Sequence, residues 1–454
     1  MKRFLLLISL FFFVQSGVTA RAGCVKINKT RVKAPFDMPE ILTPDFENCP
    51  VFDITRFGAL KGNKQATTIA IEKAVDAASI AGGGIVSIPE GEWLTGKVHL
   101  KSNVNLRIEK GAVLLFDDNP IDYLPPVPTS WEGMECVNYS PLIYAYRCKN
   151  IAITGKGTIK ARMDFWKNWF ARPNAHMQSL KRLYEFSYRN VPFEDRIMVN
   201  DTAHLRPHFV QFNRCENILI EGISVVNSPF WTLHIYLSKN IILRNLNVFA
   251  HGHNNDGFDP EMSQNILVEN CVFDQGDDAI AVKSGRNQEA WRLHTPSKNI
   301  VIRNCRVKNG HQLLAIGSEL SGGVENVFIQ NCKVDDNAKM FHLVFIKTNE
   351  RRGGYVKNIY VENIDAGHIS LGILGVETAV LYQWRDLVPT YEVKLTSINN
   401  IYLKNIKCRN VEFISRILGQ KRLPVQNVFL TNVLADTVRG KMLIHENVIN
   451  FIQK

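Results

Sequence analysis

An asparagine opens the same short pattern again and again along this chain: Asn, apolar, any, apolar, any, then Asn or Gly. The runs begin at Asn217, Asn240, Asn265, Asn299, Asn326, Asn358, Asn400 and Asn427, at steps of 23, 25, 34, 27, 32, 42 and 27 residues. Alternation of β-branched residues within each run marks a short strand with one buried face. Asparagine suits the turn beside it, because its short amide tolerates left-handed backbone and bonds neighbouring amides. One coil cannot bury its own apolar face, so successive coils must stack. The pattern predicts an all-β fold, a right-handed, single-stranded parallel β-helix, with the hand resting on the general preference for right-handed crossovers.

The 454 residues, 45% hydrophobic, are enough for a large core, and the repeat makes one elongated domain the expectation despite the length. Residues 51–454 are assigned to the β-helix and 23–50 to an N-terminal extension. Ile71, Val75 and Ala78 mark a helical face within Thr67–Ile80, stopped by Gly82-Gly83-Gly84. Solenoids need a capped end, and this helix is the candidate cap.

Lys2 and Arg3 precede the apolar run Phe4–Val14, and small residues follow at Ala20 and Ala22. Residues 1–22 therefore read as a secretory signal peptide, too short to span a bilayer in the mature protein. No later run is long and apolar enough to cross a membrane, so a periplasmic or extracellular protein is expected. Cys24 and Cys49 flank the extension and suit a disulfide in an oxidising compartment. Cys271, Cys305 and Cys332 follow the second Asn of their repeats and are expected to stack inside the coils. No cysteine or histidine spacing fits zinc, and no metal or cofactor is expected. The formal charge of +11 suits an anionic polymer. Scattered basic residues without a nucleic-acid-binding module argue against nucleic acid.

The segments beginning Gly276-Asp277-Asp278 and Gly310-His311-Gln312 overlay without a gap, setting Asp277 on His311. A third segment from Asp256 fits the same frame, bringing Asp256, Asp277 and His311 to one column and Ser263, Ser284 and Ser318 to another. A lone Asp at a coil turn is explained by backbone capping. Three Asp and a His converging on one patch are not. Crowded carboxylates raise at least one carboxyl pKa, so one can stay protonated while another is ionised, the acid and base roles of glycoside hydrolysis.

The runs Asn255-Asp256-Gly257-Phe258-Asp259, Gly276-Asp277-Asp278, Gly310-His311 and Ile346-Lys347 resemble, in order, the four signature segments of the polygalacturonase family, glycoside hydrolase family 28. The resemblance extends from Phe57-Gly58-Ala59 to Gly353-Gly354. It implies hydrolysis of a galacturonic-acid linkage of pectin with inversion, the acid and base carboxyls standing roughly 6.5–9.5 Å apart. Asp277 would be the general acid, Asp256 and Asp278 would hold the water, His311 would tune the acid or bind sugar, and Lys347 would grip a substrate carboxylate. Asn255, within a matched run, and Gln312, which follows one, join the expected substrate-binding set.

Two departures bear on specificity. Phe345-Ile346-Lys347 stands where the family typically has Arg-Ile-Lys, and Gln312 where it has Gly. An aromatic replaces a bidentate carboxylate grip. Phe345 is read either as a platform for a less charged sugar, such as rhamnose in rhamnogalacturonan, or as core filler. Lys283 shares the column of Lys347 and, with Arg286 and Arg292, could restore a uronate grip. The aromatic-rich segment Ala161–Leu205 and the insertion between Asn363 and Asn400 are long enough to close a groove, favouring attack at a chain end. Competing readings are a calcium-dependent pectate-lyase-like enzyme, a uronic acid epimerase and a non-catalytic carbohydrate-binding solenoid. A monomer is expected.

Overall fold

The computed structural model describes residues 23–199, 205–380 and 392–454. The signal-peptide segment, residues 200–204 of the aromatic-rich segment and residues 381–391 of the second insertion lie outside these. The chain forms a right-handed parallel β-helix whose coils pair in parallel, residue by residue. Ile218 aligns with Ile241, Ile266 and Ile300, and this inward column continues to Ile401 and Val428, all fully buried. Each such side chain contributes about 1.5–3 kcal/mol through burial, an upper estimate.

The asparagines that define the repeat form a ladder. Asn240 Nδ2 donates to Asn217 Oδ1 at 2.9 Å, Asn299 to Asn265 at 3.1 Å and Asn427 to Asn400 at 3.1 Å. The ladder runs on to Asn103 and Asn150 at one end and Asn450 at the other, beyond the runs from Asn217 to Asn427. Its members hold left-handed φ, for example 60° at Asn217 and 58° at Asn299. A second ladder joins Asn331, Asn363, Asn405 and Asn432 at 3.1 Å per step. Cys271, Cys305 and Cys332 are buried free thiols on successive coils, as expected.

Helix α1 spans Lys64–Ile80. It starts earlier than its apolar pattern because Asn63 caps it, accepting the Ala66 amide at 3.0 Å. Its buried face, including Ala70, Ile71 and Val75, joins the main core at the first coils. The extension forms an antiparallel hairpin of Lys26–Thr30 with Ile41–Asp45. Cys24 and Cys49 are disulfide-bonded, with Cα atoms 5.1 Å apart. Ile41 and Phe46 pack against Leu219, Ile242, Leu267 and Val301 on the coils' outer surface, which explains why those positions are apolar.

One parallel sheet positions the site. Its strands include Val210–Asn213, Leu233–Tyr236, Phe258–Glu261, Ile280–Val282, Gln312–Gly317 and Met340–Lys347, stacked in that order. Ile280 pairs with Leu314, so Asp277 does stand on His311. The placement of Asp256 needs correction: Phe258 pairs with Ile280 and Glu261 with Lys283, which sets Asp256 beside Asp278. The serine column is corrected with it. Ser263 instead lies between Ser238 and Ser297, bonded to each through amide-to-hydroxyl contacts of 3.1 and 3.3 Å. Turn lengths cause the slip. Residues 251–257 lead into one strand, whereas 276–279 lead into the next, so a gapless overlay cannot follow both.

Candidate active site

Asp256, Asp277, Asp278 and His311 all lie on the turns entering this sheet. The turns pack closely: a Cβ at Gly276 would meet Gly252 N at 2.6 Å. The His311 amide donates to Asp277 O at 2.8 Å, and the Gly257 amide to Asp278 O at 2.9 Å. Backbone bonds therefore fix the three carboxyls against one another.

The side chains line a cavity of about 280 Å³. His311 Nδ1 lies 3.0 Å from Asp277 Oδ1, and the Asp278 amide donates to that same oxygen at 3.0 Å. Lys347 Nζ donates to Asp278 Oδ2 at 3.1 Å. Asp277, Asp278 and His311 each offer an atom within 4.8 Å of the other two, so Asp277 and Asp278 approach more closely than the roughly 6.5–9.5 Å expected between the acid and base carboxyls, and that expectation is corrected. Lys283 Nζ sits among Asp256, Asp259 and Glu319, at 3.5, 3.6 and 3.5 Å, and 4.4 Å from the Trp231 ring centre.

These contacts separate the carboxyls' protonation. Burial, reinforced by the Asp277 charge, pushes Asp256 up to about 7. Burial also acts against the charge of Asp277, but the His311 hydrogen bond and charge, with Lys347 and Lys283, outweigh it and hold Asp277 at about 2. Asp278 is raised, again by burial, which Lys347 opposes. His311 is raised: burial disfavours its charge, but the bond to Asp277 and the surrounding carboxylates prevail. Without substrate, burial thus favours the protonated forms of Asp256 and its neighbour Asp259, and the His311–Asp277 contact favours imidazolium beside carboxylate.

The sheet face is filled on the N-terminal side of these residues. A hairpin, Val127–Trp131 with Met134–Asn138, lies across it: Thr129 Oγ1 donates to Gln211 Oε1 at 2.6 Å, and Asn213 Nδ2 to Pro128 O at 3.3 Å. Trp131 and Met134 share an apolar cluster with Leu180, Leu183, Phe230 and Trp231, Leu180 and Leu183 belonging to helix α2, Asn174–Tyr188. The hairpin tip delivers Glu132 to the cavity, where Arg286 Nη2 holds it at 3.1 Å and also pairs with Glu319. Arg172 enters from the segment before α2, its Nε donating to His253 Nε2 at 2.6 Å.

Residues 194–450, more than half of the chain, match the model of glycosyl hydrolases family 28. The chain belongs to this family. It is 29% identical over 319 residues to a probable polygalacturonase of Vitis vinifera, covering 68% of this chain and 59% of that protein. It is 27% identical over 310 residues to an exo-poly-alpha-D-galacturonosidase of Dickeya chrysanthemi, covering 63% of this chain and 50% of that one. The family 28 chain thus spans only about half to three-fifths of these curated relatives. Among solved structures, a hyperthermoactive exopolygalacturonase from Thermotoga maritima superposes with a TM-score of 0.83 at 33% identity, over 91% of this chain and 94% of that one.

Of the residues singled out in this family 28 sequence, Asp256, Asp277, Asp278, His311, Lys283 and Lys347 line the cavity. The others do not. Asn255 is buried scaffold, its Nδ2 donating to Ser228 O and Phe230 O at 2.9 and 3.0 Å, and the neighbouring Asn254 lines the cavity instead. Gln312 is buried away from the cavity lining. Phe345 lies on the groove side of its strand but is only 9% exposed, because His342 stacks on it at 4.3 Å and 9°. The sugar-platform expectation is corrected accordingly. Lys283 does share the Lys347 column, yet its charge is committed to three carboxylates. Arg286 reaches the cavity, whereas Arg292 pairs with Glu289 outside it. Sequence reasoning missed Glu132, Arg172, His253 and Glu319, which carry no repeat signal. In the aromatic-rich segment, Trp166 and Trp169 are packed into the core. Tyr184 lies 4.9 Å under the Arg286 guanidinium.

Proposed function

We propose that the chain is an exported hydrolase that cleaves α-galacturonide linkages of pectic chains by single displacement with inversion, starting from a chain end. The observation carrying the chemistry is the His311–Asp277 hydrogen bond within a cluster of three carboxyls. Protonation there is shared, so moving one proton onto Asp277 yields an acid beside ionised Asp256 and Asp278 without changing the proton count. Asp277 then protonates the glycosidic oxygen as the bond to the anomeric carbon breaks. Water held by Asp256 and Asp278 attacks from the opposite face and gives its proton to that pair. Lys347, a compact cation at the cavity wall, would pair with a uronate carboxylate. Arg172 and Arg286 add positive charge around the terminal sugar.

Chain-end attack is supported by the hairpin that packs over the strands preceding the site. The 33% identical exopolygalacturonase supports the same mode. Export rests on the pattern of residues 1–22 and fits the Cys24–Cys49 bond. No helix among the described residues is long and apolar enough to cross a membrane.

The test is the time course of products from oligogalacturonides with a free or a chemically capped non-reducing end. Single galacturonate units from the first minutes, abolished by the cap, are expected. Mixed internal fragments would overturn chain-end attack, and no cleavage of any pectic substrate would overturn the activity.

A further inference from the structure

A second cavity, of about 790 Å³, lies on the far side of His311, which lines both spaces. We propose that it is a subsite for a neutral sugar carried as a branch on the uronide substrate. The inference rests on the proposed hydrolase reading and extends it to the substrate's side chains.

The cavity follows the turns between the two sheet faces, so it departs sideways from the groove, and its size falls in the range of about 300–1,000 Å³ typical of small-ligand sites. Its wall nearest the site is Phe341, 46% exposed, whose ring centre is 4.7 Å from that of His311 at a tilt of 34°. Buried Met340 and Ala338 continue the apolar surface. Among the described residues, Lys339 and Asp336 are its charged lining residues besides histidines, one of each sign. The catalytic cavity, by contrast, gathers Arg172, Lys283, Arg286 and Lys347 among five carboxyls, Glu132, Asp256, Asp277, Asp278 and Glu319. A uronate meets several fixed cations there, whereas the second cavity offers Lys339, balanced by Asp336, and a His311 charge shared with Asp277.

What it does offer matches a neutral pyranose. Such a ring has an apolar C–H face that packs on an aromatic surface, and hydroxyls that need fixed polar partners at the rim. Those partners are held in place: His251 Nε2 and Asn309 Nδ2 meet one oxygen of Asp274 at 2.7 and 2.9 Å. Because His311 also bonds Asp277, an occupant of this cavity lies one side chain from the scissile bond. A branch on a sugar beside that bond is therefore the fitting ligand.

Ser370 lines the cavity and its hydroxyl donates to the Met340 carbonyl at 2.8 Å. Ser370→Trp should fill the space without touching the catalytic groups, and Asn337→Trp, at an exposed turn residue of the same lining, does so independently of the strand. The experiment compares kcat/KM on linear oligogalacturonides and on the same oligomers bearing one neutral pentosyl branch at the cleaved sugar. Wild type should accept both, and each tryptophan variant should lose about tenfold or more on the branched substrate while staying within about twofold on the linear one. Equal loss on both substrates, no loss on either, or wild-type rejection of the branched oligomer would overturn the subsite. If wild type cleaves neither, the hydrolase reading fails, and binding of a methyl pentoside decides the subsite. Saturable NMR shifts of the Phe341 ring, absent in the folded tryptophan variants, support it; no shifts overturn it.

Discussion

His311 and Asp277 occupy one column of adjacent coils and are joined twice, by the His311 amide to the Asp277 carbonyl at 2.8 Å and by Nδ1 to Oδ1 at 3.0 Å. The first bond belongs to the sheet and the second to the chemistry. The fold's own register thereby orients the imidazole on the carboxyl that it keeps ionised in the resting state.

This coupling sets the pH response of the activity. Asp256 holds its proton up to about pH 7, and His311 is raised as well, so rising pH strips the protons from which Asp277 must be supplied. kcat/KM should fall above about pH 7, by roughly tenfold per unit once one group has titrated. His311→Asn should lower kcat by about a hundredfold or more and alter the basic limb. An unchanged profile in that variant would remove His311 from proton supply.

Lys283 is the shared partner of three buried carboxyls: Glu319, held ionised, and Asp256 and Asp259, pushed up by burial. Above about pH 7, where Asp256 is ionised, Lys283→Met leaves that charge unpaired and Glu319 to Arg286 alone, and should destabilise the fold by about 3–5 kcal/mol in urea unfolding. A cost within about 1 kcal/mol would show that Arg286 alone compensates the group.

Glu261 gives a separate stability prediction. Its carboxyl is buried and pushed up to about 8 from 4.5, while His234, 2.9 Å away, is pushed down to about 3, also by burial. The native state therefore keeps a proton that the unfolded chain releases. The stability contribution is complete below about pH 4.5 and is lost as pH rises through about 8. Glu261→Gln should flatten this loss, and Tm measured from about pH 5 to about pH 9 should decline less in the variant than in wild type. Parallel curves would contradict the assignment.

The asparagine ladder can be separated into its two causes at Asn299, whose φ is 58° and whose amide bonds Asn265 and Asn326 at 3.1 and 3.0 Å. Asn299→Ala loses the bonds and strains the left-handed backbone, an expected cost of about 2–4 kcal/mol. Asn299→Gly keeps the backbone conformation and should recover about 1 kcal/mol of it. Equal unfolding midpoints for the two variants would leave the side-chain bonds as the whole effect.

These residues also show what the sequence makes legible. The coils could be read because one chemical device, a left-handed Asn bonded to the next Asn, recurs at each turn. Asp277 on His311 was readable because equivalent segments overlay without a gap. Asp256 was misplaced by one position because its turn is longer, and strand pairing follows backbone hydrogen bonds rather than the overlay. Glu132 was invisible: it meets Arg286 across 154 residues of chain, through a hairpin outside the repeat. The burial of Phe345 depends on His342 stacking over it, a packing result that alternation alone does not encode. Asn255 belongs to a matching motif and Gln312 adjoins one, yet a place in or beside a motif does not distinguish a residue that shapes the turn from one that lines the cavity.

The most direct test of the account is NMR of the fresh anomeric product from oligogalacturonides, comparing wild type with Asp277→Asn after confirming that both unfold at similar temperatures. Wild type should release a saturated sugar with inverted anomeric configuration, and Asp277→Asn should lose about a thousandfold or more in rate. A retained anomer, an unsaturated product, or undiminished turnover by Asp277→Asn would contradict the assignment of Asp277 as the acid that works opposite water held by Asp256 and Asp278.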